Sequence, residues 1–358
     1  MRAIILVGGE GTRLRPLTYT TPKQMLPVVE VPMIERVVGH LASHGITDVV
    51  LSLGYRPDAF IAGYPDSRCG GATLTYVVEP ELMDTAGAIR FAATQAGIAN
   101  TFLVFNGDVL TDLDIGDLVR FHRATGGEGT IALTPVEDPS AFGVVPTDGD
   151  GRVEAFIEKP AAGTAPTNMI NAGTYVLEPS ILGRIPGGRR VNIERETFPA
   201  MVADGALYAL ASRGYWLDVG TAERYLKACA DLVDGTRPGS PVPGARELNP
   251  GVWQAGAPTI DGKVGPCSYV GREARIGSSA LVEASVISSG VVVADSAVVR
   301  RSVVMAGARV GAGAEVCDSI IGPGASIGSG AQVRGHSIVG DGSAVAEGAV
   351  HDGARVPE

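Results

Sequence analysis

Cysteine is scarce, and its four copies sit far apart at Cys69, Cys229, Cys267 and Cys317. No C-x-x-C pair occurs, so the spacing offers neither a structural zinc site nor a disulfide framework, and free thiols in a reducing cytoplasm are expected. A basic excess is missing too. The formal net charge of -10 argues against a general nucleic-acid surface and leaves any cationic cluster local, aimed at a small anion. No apolar run approaches the ~18 residues of a membrane span, and the N-terminus lacks a signal peptide's apolar core and cleavage site. His40, His44 and His122 have no partner spacing for a metal and read as ordinary helix or surface residues. What remains is a globular chain of 358 residues, 45% hydrophobic and 19% charged, large enough for two domains with separate cores.

An apolar run, Ala3-Ile4-Ile5-Leu6-Val7, empties into the loop GGEGTRLRPLTYTTPKQMLP. No Gly-Lys-Ser/Thr closes it, so it is not a P-loop. Gly9-Glu10-Gly11 is followed by Thr12, Arg13 and Leu14 with no third glycine, so it is not a dinucleotide fingerprint either. Gly8, Gly9 and Gly11 let the backbone approach a ligand and offer N–H donors to an anion. Arg13 can bridge phosphate oxygens bidentately, and Lys23 supplies a point charge. Arg15 is set aside, because an acidic neighbour can take its charge.

Residues 3–7, 49–53, 74–78 and 102–105 are apolar runs of strand length bounded by turn residues. Between the first two, Ile34, Val37, Val38 and Leu41 recur at helical spacing, with Pro32 suited to the helix start and Gly45 to its C-cap. Strand, helix, strand predicts an α/β, Rossmann-like, mostly parallel sheet with ligands beyond the carboxyl ends of its strands. The glycine loop falls on that rim. So does Asn106-Gly107-Asp108, and Tyr215-Trp216-Leu217-Asp218-Val219-Gly220 adds a second aspartate just before a helix. Two carboxylates with phosphate nearby suggest one Mg²⁺, which takes few protein ligands and completes its shell with phosphate oxygens and water. Glu158-Lys159-Pro160 ends an apolar segment; its two charges either pair at the surface or meet a polyol hydroxyl and a phosphate. Phe142-Gly143-Val144-Val145 and Asn171-Ala172-Gly173 mark further tight backbone positions.

The pattern changes after TAERYLKACADLV at 221–233. Residues 235–262, rich in Pro and Gly, read as a linker. Beyond it, aliphatics fall six apart at Val264, Val270, Ile276 and Val282, then at Val292, Val298, Val304, Val310 and Val316, then from Ile321 through Ile327, Val333 and Val339 to Val345. This hexapeptide repeat predicts a left-handed parallel β-helix over 263–358, following a catalytic domain over 1–234. Solenoids of this kind leave exposed sides and ends, so a homo-oligomer through the β-helix is expected.

In this order, the motifs resemble the sugar-1-phosphate nucleotidyltransferases across essentially the whole chain. GGEGTRLRPLTYTTPK is similar to the family signature G-x-G-T-R-L-x-P-L-T-x-x-x-P-K, and NGD, FGVV, EKP, NAG and WLDVGT follow in family order. INAGTYVLEP, IERETFPAMVADG, GYWLDVGT and the trailing hexapeptides look most like the mannose-1-phosphate guanylyltransferase branch. The resemblance implies transfer from a nucleoside triphosphate, GTP first, to mannose 1-phosphate, releasing pyrophosphate. It implies that Leu6, Gly8, Gly9, Gly11 and Thr12 hold the nucleotide, with Arg13 on the triphosphate and Lys23 on the leaving pyrophosphate. Glu79, Thr85, Ala86 and Gly87 would line the base pocket. Asp108 and Asp218 would hold Mg²⁺, Gly143, Glu158 and Asn171 the sugar, and Lys159 its phosphate. Arg13, Lys23, Asp108 and Lys159 would be the catalytic set. One stretch departs from the pattern: Asp84, in Leu82-Met83-Asp84-Thr85-Ala86-Gly87, stands where the branch has glycine. PKQMLP also echoes thymidylyltransferases. Glucose 1-phosphate or a cyclitol phosphate with dTTP, UTP or GTP is the alternative pair, and a regulatory subunit that binds nucleotide sugar is a reading from another class. A hexapeptide acyltransferase would need a catalytic histidine, for which only His336 and His351 stand in the repeats.

Overall fold

Four buried strands supply the frame: β1 (Ala3–Leu6), β2 (Asp48–Leu53), β3 (Ala72–Val78) and β4 (Phe102–Asn106). They run parallel in the order β4-β1-β2-β3, as the near-continuous apolar runs predict. Three longer strands extend the sheet beyond β4, namely β5 (Gly129–Pro135), β6 (Met169–Leu177) and β7 (Leu207–Ala211), with the two-residue strands Gly143–Val144 and Ile157–Glu158 beside β6. β6 pairs antiparallel with both β4 and β5, and β7 runs parallel to β5. Ile4, Val50, Phe102, Val104, Tyr175 and Phe198 lie in one continuous core. α1 (Met33–Ser43) connects the first two strands. Pro32 does not open it. That residue pairs with Pro27 in a two-residue hairpin strand, and the helix starts one residue later. Gly45 takes the left-handed conformation (φ 78°) that terminates a helix.

The structure, a computed structural model, describes residues 1–357. Two compact units divide the chain: Met1–Gly9 with Ile34–Leu217, and Glu10–Met33 with the chain from Asp218 onward. The loop segment 10–33 therefore belongs to the same unit as the C-terminal repeats.

In that second unit, α3, which is Ala222–Val233, follows Asp218. Strand pairing begins inside the stretch read as a linker, where Val252–Gln254 aligns parallel to Ser268–Val270. From there, short strands stack into three parallel sheets, the architecture of a left-handed parallel β-helix. The inward register differs from the sequence reading at two positions. Val293 and Val299 are fully buried, whereas Val292 and Val298 are half-buried. The central coils repeat every 17 residues, as Val282, Val299 and Val316 pair in succession, so one corner of each of these coils is a residue short. That corner carries Ala284, Arg301 and Asp318 at φ 47°, 45° and 48°. Just after it, the buried Ser285 and Ser302 each accept the amide of the serine one coil on, at 3.1 Å. Buried polar atoms are thereby satisfied along the stack.

Candidate active site

Within the first unit, the predicted residues gather at the carboxyl ends of β1, β3 and β4 and at the amino-terminal part of β6, which runs antiparallel to β4. Leu6 ends β1, and Gly8 and Gly9 follow it. Glu79 directly follows β3 and is buried. Its Oε1 accepts from the Ser52 hydroxyl at 3.0 Å and its Oε2 from the Met83 amide at 3.2 Å. A Cβ on Gly8 would sit 3.3 Å from the same carboxylate, so the loop glycine and Glu79 lie side by side.

Glu79 thus shapes the turn into α2 (Asp84–Gln95), whose first residue is the departure from pattern. Asp84 sits at φ 60°, a conformation that suits glycine and that Asp tolerates better than most residues. Its Oδ1 accepts from the Thr85 amide at 2.8 Å and from Asn192 Nδ2 at 3.1 Å. Aspartate therefore keeps the backbone a glycine would adopt and adds a charge. Ala86 and Gly87 donate their amides to the Val191 carbonyl, and Thr85 Oγ1 accepts from the Ile193 amide.

Asn106-Gly107-Asp108 leaves β4 against the end of β1. A Cβ on Gly107 would come within 2.6 Å of Val7 Cγ1, so only glycine fits and the half-buried Asp108 is held on a rigid backbone. Gly173, at φ 73°, leaves no room for a Cβ beside the Asn106 side chain. The Trp216 indole donates to the Ala172 carbonyl at 2.9 Å and stacks edge-on with Phe142. The four tight motifs thus interlock.

Gly143 pairs with Glu158 across two short antiparallel strands, and a Cβ there would press on the Phe156 ring. Lys159 is exposed, at φ 50°, and its ammonium lies 3.2 Å from Glu158 Oε1. Asn171 is buried, and its amide nitrogen donates to the Tyr175 hydroxyl and to Glu194 Oε1, both at 2.9 Å. Glu194 was not singled out from the sequence, because it follows Asn171 by 23 residues and no motif contains both. Its carboxyl is pushed up to about 7, first by burial and then by the Glu158 carboxylate, while Lys159 and the Asn171 bond pull it down. A native value above the ordinary 4.5 means that the folded chain keeps a proton which the unfolded chain releases. Stability should therefore fall as pH rises through about 4.5 to 7. Glu194→Gln is expected to flatten that slope in melting temperature against pH; an unchanged slope would refute the assignment.

In the second unit, Thr12–Leu14 and Lys23–Met25 form single 3₁₀ turns. Gly11, at φ 64°, fits between them: a Cβ there would lie 3.0 Å from Lys23 Cβ and 3.1 Å from Thr18 Cγ2. Lys23 is buried, whereas Thr12 and Arg13 are exposed. Gln24, beside Lys23, is also buried, and its Oε1 has no hydrogen-bond partner among the described residues. Arg15 pairs with Glu10 at 2.8 Å, as expected of a charge outside the site. Asp218 Oδ2 accepts from Arg224 Nη1 at 3.1 Å, a partner not foreseen from the sequence. A Cβ on Gly220 would sit 2.8 Å from Arg13 Nη2 and 2.9 Å from Asp218 Oδ1, which places the Arg13 guanidinium and the Asp218 carboxylate at the same glycine. Gly220→Ala should displace the flexible arginine and lower kcat about tenfold with little loss of stability; wild-type turnover would show that this seat is not needed.

No group of three or more His, Cys, Asp and Glu side chains capable of holding a metal occurs among the described residues. The carboxylate oxygens of Asp108 in the first unit and of Asp218 in the second are each hard donors, suited to a divalent ion such as Mg²⁺ and unlike the sulfur and nitrogen ligands of a closed zinc site.

The Nucleotidyl transferase family model matches residues 2–235, and the GMPPB C-terminal domain model matches residues 263–357. The chain is similar to a mannose-1-phosphate guanylyltransferase of Mycobacterium tuberculosis, 42% identical over 297 residues, covering 81% of this chain and 80% of the relative. It is similar to a mannose-1-phosphate guanyltransferase of Schizosaccharomyces pombe, 41% identical over 245 residues, with 67% of each chain covered. Among solved structures it is similar to HddC from Yersinia pseudotuberculosis complexed with GMP-PN, at 29% identity and TM-score 0.55, covering 64% of this chain and 97% of that one. Joined to the signature loop and the interlocked motifs, these likenesses assign the chain: it belongs to the nucleotidyl transferase family, on the branch of the mannose-1-phosphate guanylyltransferases.

Proposed function

We propose that this chain transfers GMP from GTP to mannose 1-phosphate. An oxygen of the sugar phosphate attacks the α-phosphorus, the bond from that phosphorus to the bridging oxygen breaks, and pyrophosphate leaves carrying the electron pair. The attacking phosphate is already ionised at neutral pH, so no general base is needed. The observation that carries the reading is the 42% identity over 81% of the chain to a mannose-1-phosphate guanylyltransferase.

The protein's work is alignment and charge. Holding both reactants in line can contribute roughly 7–11 kcal/mol to lowering the barrier. Arg13 and Lys23 take the triphosphate and the departing pyrophosphate, with the backbone of Leu6, Gly8, Gly9, Gly11 and Thr12 around the nucleotide. Glu79, Thr85, Ala86 and Gly87 frame the base, and Gly143, Glu158 and Asn171 the sugar, with Lys159 on its phosphate. Asp108 and Asp218 are the residues for Mg²⁺, which screens charge on the phosphates when bound. Residues 1–234 act as the catalytic module and 263–358 as the β-helix module, with 235–262 as a linker whose later part, from Arg246, already pairs into the β-helix sheets. Cys69, Cys229, Cys267 and Cys317 form no disulfide among the described residues, which suits a reducing cytoplasm. Among the described residues, no helix is long and apolar enough to cross a membrane.

The β-helix joins copies of the chain. Light scattering on the intact protein should give a multiple of 36.8 kDa; a monomer would refute the assembly.

A matrix of nucleoside triphosphates against sugar 1-phosphates, scored by pyrophosphate release, tests the pair. GTP with mannose 1-phosphate should lead. Gln24, buried directly after Lys23 as in the thymidylyltransferase-like PKQMLP, favours dTTP with glucose 1-phosphate as the second reading. Asp84→Gly should shift the ranking among GTP, dTTP and UTP, and an unchanged ranking would take the loop out of base selection.

A further inference from the structure

The segment that carries Arg13 and Lys23 shares its unit with the β-helix, and the contacts are specific. After Lys23 the chain makes a tight hairpin, Pro27–Val28 against Val31–Pro32, with Val29 and Glu30 at its tip. Both tip residues are left-handed, at φ 49° and 62°. Asparagine and glycine are the usual residues there, and a β-branched valine is among the least suited. A turn this unfavourable persists only where its surroundings hold it.

The surroundings are the first coils of the β-helix. Glu30 accepts from the Tyr269 hydroxyl on one oxygen and from the Ser289 amide on the other. Tyr269 is fully buried, and a Cβ on Gly271 would lie 2.9 Å from Glu30 Oε1, so a glycine makes room for the carboxylate. The rest of the segment is tied in the same manner. Tyr225 of α3 donates to the Pro27 carbonyl, Thr20 donates to Asp341, and Pro16 packs over Gly340. From the hairpin, backbone bonds lead directly to the site: the Leu26 amide donates to the Lys23 carbonyl at 3.1 Å, and Lys23 Cβ abuts Gly11.

We propose that Glu30 is a positioning residue: the β-helix grips the turn after Lys23 through this carboxylate and so fixes where Lys23 and Arg13 present their charges. The β-helix is then part of the apparatus of transfer as well as a surface for assembly. Burial and the Glu30 carboxylate both push the Tyr269 phenol upward, so it stays a proton donor to Glu30 across the working pH range.

The proposal rests on the nucleotidyl-transfer reading, and its test separates the two. Glu30→Gly keeps the left-handed turn and removes the grip; Tyr269→Phe removes one of its two donors. In the intact chain, Glu30→Gly should weaken GTP affinity by calorimetry about tenfold and lower kcat with it, and Tyr269→Phe should do so to a lesser degree. Placed on Lys23→Ala, Glu30→Gly should cost far less than it does alone, because it acts through the lysine. Wild-type affinity and turnover in Glu30→Gly would overturn the proposal. So would a loss that multiplies unchanged on Lys23→Ala, which would mark a general structural effect. Should the wild-type chain release no pyrophosphate, the functional reading fails, and the role of Glu30 is decided by GTP affinity alone.

Discussion

Asp108→Asn is expected to reduce pyrophosphate release by about 10²–10³ while the protein melts as before. The aspartate sits on the Asn106-Gly107-Asp108 turn, where Gly107 is pressed against Val7 with no space for a Cβ. That backbone is fixed by packing, so an isosteric amide leaves the turn in place. What disappears is the negative charge on the ligand rim. If the residue only capped its turn, asparagine would serve as well and the rate would hold. Steady-state turnover and a melting curve on the same preparation separate the outcomes, and wild-type turnover would remove Asp108 from the catalytic set.

Lys23→Met should be comparably severe, again on the order of 10²–10³ in kcat. Lys23 is buried, with its Cβ seated against Gly11, so the hydrophobic stem of methionine can fill the same channel without the charge. An ammonium kept in a water-poor place next to a glycine loop interacts with phosphate more strongly than one in solvent. The loss should therefore fall on the step in which pyrophosphate gathers charge. A variant that turns over normally would leave Lys23 as packing alone.

Much of this architecture is readable from residue order. The β-helix shows itself because one inward aliphatic per face is enough to bury a coil, and Val270, Ile276 and Val282 obey that spacing without exception. It slips at Val292 and Val298 because one corner turns through a single left-handed residue, which no hydrophobic period records. The glycine loop and Asn106-Gly107-Asp108 are readable because each lies where a buried strand ends and the chain must turn, and there glycine and charge stand together in the sequence. Glu194 and Arg224 escape for the opposite reason. Each reaches its partner, Asn171 or Asp218, through a helical segment of ordinary composition. The allegiance of residues 10–33 to the repeats was equally hidden. Nothing in Val29-Glu30 signals a strained turn, and its meaning comes from Tyr269 and Ser289, some 240 and 260 residues away.

The bond that breaks during turnover, between the α-phosphorus of GTP and the bridging oxygen, can be read directly. ³¹P NMR of the intact chain incubated with GTP, mannose 1-phosphate and Mg²⁺ should show GDP-mannose and pyrophosphate growing together in equal amounts. GDP with inorganic phosphate, or GTP left unchanged beside a turned-over dTTP and glucose 1-phosphate pair, would contradict it.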